Sequence, residues 1–337
     1  MRRAELDLCR ILGCLAVLVI HAGAEIYHEL PLESASFAAV NLLSTAVRGG
    51  VPLFFMLSGA LLLGREELVL PYFFRRHVLR LAGLFCLWSL LYALLRLANG
   101  AFADAHSFFM ALAGGHYHLW FLPAMVLSNL FLPPVHAALH EGRLDGRYLV
   151  GLFLFLGIVL ANCNLTPDPA YVLHRITLNF RLDYLPYLGY AVWGWWLDRR
   201  FFPRKTLWLA PLLWILVTLA AAAGNRWYSG YKQTADGWLF SYFSLPSFLQ
   251  ATLVFCFCLA LKNHIFRYPR ALAALSDAAL GVYLLHPLLL NLLGRAGVTV
   301  TAAAPLGSLL GVCALLAVLC FGLTLALRRI PLIKRIL

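Results

Sequence analysis

The first apolar run of the chain carries Asp7, Arg10, His21 and Glu25, four side chains that hydrocarbon solvates badly. A charge near the middle of a membrane costs about 2.5–3.5 kcal/mol on insertion scales, so such groups are functional candidates by default. Arg10 and His21 are eleven residues apart, which in an α-helix is three turns plus about 20°, or ~16 Å along one face. Asp7 falls on nearly the same line, and Glu25 lies one turn beyond His21. A guanidinium at one end of such a stripe could hold a phosphate with its planar fork. An imidazole kept from water stays neutral near pH 7 and could take the proton of an attacking hydroxyl. A bland alternative has the same spacing: Asp7 pairs with Arg10, and His21 hydrogen-bonds a neighbouring helix. Spacing alone does not choose between them.

The elements that must position these groups are membrane helices. Hydrophobic residues make up 62% of the 337 and charged residues 12%, against about half and a quarter in soluble domains. The apolar residues come in runs near the ~20 residues that a helix needs to cross hydrocarbon. No repeated period-two alternation supports a β-barrel. The runs predict an all-α, polytopic bundle of about ten transmembrane helices: 8–27, 37–63, 77–98, 117–139, 147–162, 184–198, 206–224, 240–261, 274–295 and 303–327. With the N-terminus in the cytoplasm, nineteen of the 27 Lys and Arg fall in cytoplasmic segments and five in outer loops. That is the positive-inside pattern; it places both termini in the cytoplasm and reads the net charge of +12 as a topology signal, not as a nucleic-acid surface. The whole of 1–337 reads as one integral membrane domain, because the outer loops near 99–116, 163–183 and 225–239 are too short to fold alone.

Those outer loops are rich in His106, His116, Tyr117, Tyr171, His174, Trp227, Tyr228, Tyr231 and Trp238, which fit an interfacial aromatic belt or a sugar-facing vestibule. The eight cysteines show no disulfide framework, and Cys256 and Cys258 lack partners at zinc spacing, so no metal is expected. Arg2, Arg3 and the run to Ala22-Gly23-Ala24 imitate a cleavable signal, but Glu5, Asp7 and Arg10 crowd that run and favour a retained helix.

Four blocks, in order, resemble the acyltransferase 3 family of membrane acyltransferases, especially its small members that modify surface glycans. Leu6-Asp7-Leu8-Cys9-Arg10 followed after ten residues by His21 matches its first-span hallmark. The second span reads Arg48-Gly49-Gly50-Val51-Pro52-Leu53-Phe54-Phe55-Met56-Leu57-Ser58-Gly59, the fourth opens His118-Leu119-Trp120-Phe121-Leu122, and the ninth has Leu280-Gly281-Val282-Tyr283-Leu284-Leu285-His286. One departure stands out: the family often has Arg-x-x-Arg entering the third span, whereas the pair here is Arg76 and Arg80, with His77 between.

The resemblance implies transfer of an acyl group, most often acetyl, from cytoplasmic acetyl-CoA to a hydroxyl or amine of an extracytoplasmic or lipid-linked glycan, in a bacterial inner membrane. It implies His21 as general base or acyl carrier and Arg10, Arg76 and Arg80 as ligands of the CoA phosphates. Asp7, Glu25, Arg48, His118, Trp120, Tyr283 and His286 become candidates for the substrate site, while Pro52, Ser58 and Gly59 suit a helix break and close packing. The alternative in another class is a transporter or flippase for a glycan or lipid intermediate, with Arg10 and His21 gating or relaying protons.

Overall fold

A computed structural model describes residues 2–102, 104–159, 184–263, 270–301 and 303–334, and every regular element among them is a helix. In chain order these are α1 (Ala4–Ala22), α2 (Ala24–Glu29), α3 (Ala35–Ala46), α4 (Gly50–Leu62), α5 (Leu70–Ala98), α6 (Ala105–Gly114), α7 (Phe121–His140), α8 (Gly146–Phe153), α9 (Tyr187–Asp198), α10 (Thr206–Lys232), α11 (Leu245–Ala260), α12 (Arg270–Arg295) and α13 (Pro305–Leu327). Among the described residues, eight stretches are long and apolar enough to cross a membrane: α1 with α2, α3 with α4, α5, α7, α10, α11 with the turn before it, α12 and α13. The expected fifth and sixth spans correspond to α8, which runs on as a wide turn over Leu154–Val159, and to the twelve-residue α9. The remainder of the fifth lies outside the described residues, as do Cys163, Tyr171 and His174. The other seven cysteines carry free thiols.

Several boundaries differ from the sequence expectation, each for a local reason. The first span is broken at Gly23 and the second at residues 47–49. The third begins seven residues early, at Leu70, so Arg75 and Arg76 sit on a helix and not in a loop. The 225–239 segment is not all loop either. α10 continues to Lys232 and stops where Gln233 turns left-handed (φ 55°). Within the 99–116 loop, Asp104 and Ser107 form a reciprocal cap that starts α6. Leu212, Leu216 and Leu219 of α10, with Leu310, Val318 and Leu319 of α13, lie exposed, whereas Asn41, Thr218 and Gln250 are buried. Apolar-out, polar-in is the arrangement that lipid selects.

Among the described residues, 2–57, 158–159, 197–263, 270–301 and 303–334 pack as one compact unit, and 58–102, 104–157 and 184–196 as another. In the first unit, Cys14 and Leu18 of α1 pack against Ala278, Ala279 and Val282 of α12 and Leu316 and Cys320 of α13. Above the Gly23 break, Ile26, Tyr27 and Leu30 pack on Phe37, Val40 and Leu309. α1 and α12 run parallel: Arg10 meets Ser276, Cys14 Sγ lies 3.8 Å from the Ala279 carbonyl, and His21 meets His286. α3 and α4 run antiparallel to α1. Gly23 lies against Ser44, and Gly50 lies against Ala16. In the second unit, Leu63, Phe73, Val78, Leu132, Val150, Ala191 and Trp195 share one core. There Gly59 packs directly on the backbone of Ala191, where no side chain would fit, and Ser58 Oγ donates to Asn129 Oδ1 at 3.2 Å.

Candidate functional site

At one end of α1, Asp7 is the hub of a charged cluster in the first unit. Its carboxylate is only 5% exposed and accepts from Arg2 Nε at 2.8 Å, from Arg10 Nη1 at 2.8 Å and from the Ser276 hydroxyl. Arg10 Nη1 also donates to Ser276 Oγ at 2.5 Å. The i,i+3 pairing expected of Asp7 and Arg10 is therefore present, and α12 fastens it from the side. Arg2 reaches on to Asp277 at 2.7 Å and to the Ala273 carbonyl, and Arg328 donates to the Asp277 backbone at 2.5 Å. Bonds to Asp277 first, then to Asp7, raise the proton affinity of Arg2 above that of an ordinary guanidinium.

Arg10 is 27% exposed, and its contacts with the described residues use Nη1 alone; among those residues Nε and Nη2 make no hydrogen bond or ion pair. A guanidinium clamped by one nitrogen, with two donors to spare on its other edge, fits the oxygens of a phosphate. A carboxylate and a hydroxyl fix its orientation beforehand, so little side-chain entropy is lost when an anion arrives.

At the other end of α1, the His21 ring lies 4.9 Å from that of His286, tilted by 32°. His286 is fully buried, and its Nδ1 lies 2.7 Å from the Tyr283 carbonyl oxygen. The sequence explains that bond. Residue 287 is proline, which has no N–H to give the carbonyl four residues back, so the Tyr283 oxygen is released inside the helix. Nδ1 of His286 takes up the released acceptor, and because a carbonyl can only accept, the proton sits on Nδ1. Nε2 of His286 is left as the lone-pair nitrogen in the neutral ring. The eleven-residue interval from Arg10 to His21 on α1 is matched by ten residues from Ser276 to His286 on the parallel α12. One helix thus faces both ends of the stripe.

Arg48 also lies in the first unit, at the break between α3 and α4. Its Nε donates to the Ser44 carbonyl at 3.1 Å, and its guanidinium covers the Phe240 ring at 3.7 Å. Glu25 is on α2, and its side chain lies outside the described residues. Tyr283 enters through its backbone, with its ring 6.1 Å from that of His286.

The remaining sequence candidates belong to the second unit. Arg76 and Arg80 are exposed, and Arg76 Nη1 donates to Tyr72 Oη at 2.8 Å. Phe74–Leu79 forms a wide turn inside α5. Such a turn takes up one extra residue, and the Arg76–Arg80 spacing is one residue longer than Arg-x-x-Arg. His118 is buried, with its Nδ1 3.0 Å from that of His116, whose ring stacks on Tyr92 at 4.4 Å. Burial, then the charge of Arg96, pushes His116 down to about 4, so the His116 ring is neutral at physiological pH. Trp120 rests against Tyr184 and Tyr187, at 6.0 and 5.7 Å. Among the described residues no group of three or more His, Cys, Asp or Glu side chains could hold a metal ion.

Sequence reasoning missed Ser276. A lone serine in an apolar helix gives no signal, although Ser276-Asp277 immediately precedes the run to His286 and marks where that helix meets the charged mouth.

A curated protein from Enterococcus faecalis, an amino-acid racemase, is 33% identical over 165 residues, which are 45% of this chain and 22% of that protein. The chain thus spans about a fifth of the length of that relative. No solved structure matches it. The model of the acyltransferase domain matches residues 3–327, and with the Arg10–Asp7–Ser276 clamp and the His21–His286 pair standing on the helices that carry the family's blocks, the chain belongs to the acyltransferase 3 family of membrane acyltransferases.

Proposed function

We propose that the protein transfers an acyl group, acetyl in the first instance, from cytoplasmic acyl-CoA to a hydroxyl of an extracytoplasmic or lipid-linked glycan. The bacterial inner membrane, which has CoA on one side and surface glycans on the other, suits this role. The observation that carries the reading is the stripe on α1: an anchored guanidinium with unspent donors, then ~16 Å of apolar helix, then an imidazole backed by a second imidazole. Arg10 holds a CoA phosphate, and the extended pantetheine arm lies along the stripe and brings the thioester carbonyl to His21. His21 takes the hydroxyl proton as the oxygen attacks the carbonyl carbon. The C–S bond then breaks, and the CoA thiolate recovers the proton from the imidazolium. His286 holds the His21 ring in place.

The test uses purified protein and labelled acetyl-CoA, with label followed into membrane glycans and into the protein itself. His21→Ala should lower transfer by roughly 10²–10⁴-fold at equal abundance, and a rate within about threefold of wild type removes His21 as the base. Label that reaches no acceptor while a lipid-linked glycan crosses proteoliposomes would favour the flippase alternative. The racemase similarity covers too little of that protein to bring racemisation to this chain.

A further inference from the structure

Arg48 is the fourteenth of the 28 residues from Ala35 to Leu62, midway along a membrane span. Charge at that depth is retained where it pairs or where it binds something. Among the described residues no carboxylate lies within ion-pair distance of it, and the ionisable groups that face it are the phenols of Tyr27 and Tyr242. Nε is spent on the Ser44 carbonyl, and one face of the guanidinium is covered by Phe240. Among the described residues nothing accepts a hydrogen bond from Nη1 or Nη2, which remain as donors.

The backbone adds to this positive charge. The span is interrupted at residues 47–49, so α4 starts afresh at Gly50, beside Arg48. A thirteen-residue helix thereby directs the positive end of its dipole at the guanidinium's surroundings, as broken membrane helices do where they receive anions. Two glycines set this break inside the bundle. A Cβ on Gly49 would come within 2.7 Å of the Ala251 nitrogen, and one on Gly50 would overlap Ala16. The same contacts fix the depth. Gly23 lies against Ser44, and Gly50 lies against Ala16, so the interval holding His21 on α1 faces the interval holding Arg48 on α3 and α4.

We propose that Arg48, together with the first turn of α4, is an anion-binding centre at the depth of His21, and that it selects acyl acceptors bearing a phosphate or carboxylate. The identity of the occupant rests on the acyltransfer reading above. The binding does not, and it is measured without acyl donor, so failed transfer and failed anion binding are separate results.

The experiment follows thermal unfolding of the purified protein with D-glucose 1-phosphate, D-glucuronate or neutral D-glucose. The two anions should raise the midpoint by about 2 °C or more through preferential binding to the folded state, and glucose should not. In an Arg10→Gln background, where a phosphate is no longer held at the mouth of the stripe, the shift from the two anions should persist, Arg48→Gln should abolish it, and Arg48→Lys should keep part of it. Arg48→Lys serves as the reporter if Arg48→Gln does not fold. No shift from either anion in that background, or a shift there that Arg48→Gln leaves unchanged, overturns the proposal. A lipid phosphate is the other source of the same chemistry. Nanodiscs of phosphatidylcholine with and without phosphatidylglycerol separate the two, because Arg48-dependent stabilisation by phosphatidylglycerol that blocks glucose 1-phosphate would assign the centre to lipid and overturn the acceptor assignment.

Discussion

Ser276 has no charge and no place in the family's motif blocks, yet its hydroxyl joins both halves of the ion pair at the mouth of the stripe. It donates to Asp7 and accepts from Arg10 Nη1. A hydroxyl is one of the few groups that can do both in a space that small. A hydrogen bond to a charged group contributes about 1.5–3 kcal/mol, so loss of this one should loosen the Arg10 fork without disturbing His21, some fifteen ångströms away along the helix. Ser276→Ala should raise KM for acetyl-CoA roughly tenfold or more and leave kcat nearly unchanged. Ser276→Thr keeps the hydroxyl and should restore the wild-type KM. A variant that lost kcat at constant KM would show that Ser276 does not act through Arg10. The stripe itself was legible in the sequence, because the positions of Asp7, Arg10 and His21 follow from helical geometry alone. Its partners on α12 were not, because which helix faces the stripe is decided by packing among apolar surfaces that look alike.

Breaks in the helices separate what pattern could supply from what it could not. Hydropathy gives runs, and a run continues through Gly23 because glycine is not polar, and through residues 47–49 because the single charge of Arg48 is outweighed by the apolar residues on either side. The interruptions arise from close approach: Gly49 and Gly50 bring backbone against α11 and α1, which straight helices with larger residues would prevent. The Ser58-Gly59 pair was legible as a packing motif, and the structure bears this out within the second unit. Gly59 is in direct contact with the backbone of Ala191, which cannot rotate away as a side chain could. Gly59→Ala should therefore destabilise by about 1–3 kcal/mol through overpacking. Gly83→Ala, at a helical glycine with nothing within 4 Å, should be neutral or stabilising by up to about 1 kcal/mol. Heating detergent-solubilised variants and measuring the monodisperse fraction checks both. Equal behaviour of the two would mean that the α4–α9 contact carries no weight.

For the molecule as a whole, the helix directions in the first unit constrain the topology independently of charge. α1 is parallel to α12 and antiparallel to α3 with α4. α3 in turn is antiparallel to α10, because Asn41 Nδ2 donates to the Ala222 carbonyl while Gln250 links Thr45 to Thr218. The end of α4 and the start of α10 therefore face the same side, and the chain between them crosses an even number of times. α5 and α7, both long enough to span, supply two of these crossings. The two ends of the described chain also meet on one face, where Arg2 and Arg328 share Asp277. If the basic segments mark the cytoplasm, that face is inside, acyl-CoA enters at Arg10, and the acceptor comes from the side of Gln233, at the far end of α10. In a background without native cysteines, Gln233→Cys should react with an impermeant thiol reagent in intact cells. Lys334→Cys, Gly142→Cys and Arg200→Cys should react only after permeabilisation. The reverse pattern would invert the molecule and the direction of transfer with it, and labelling of Gly142→Cys and Arg200→Cys from opposite sides would contradict the even number of crossings between α4 and α10.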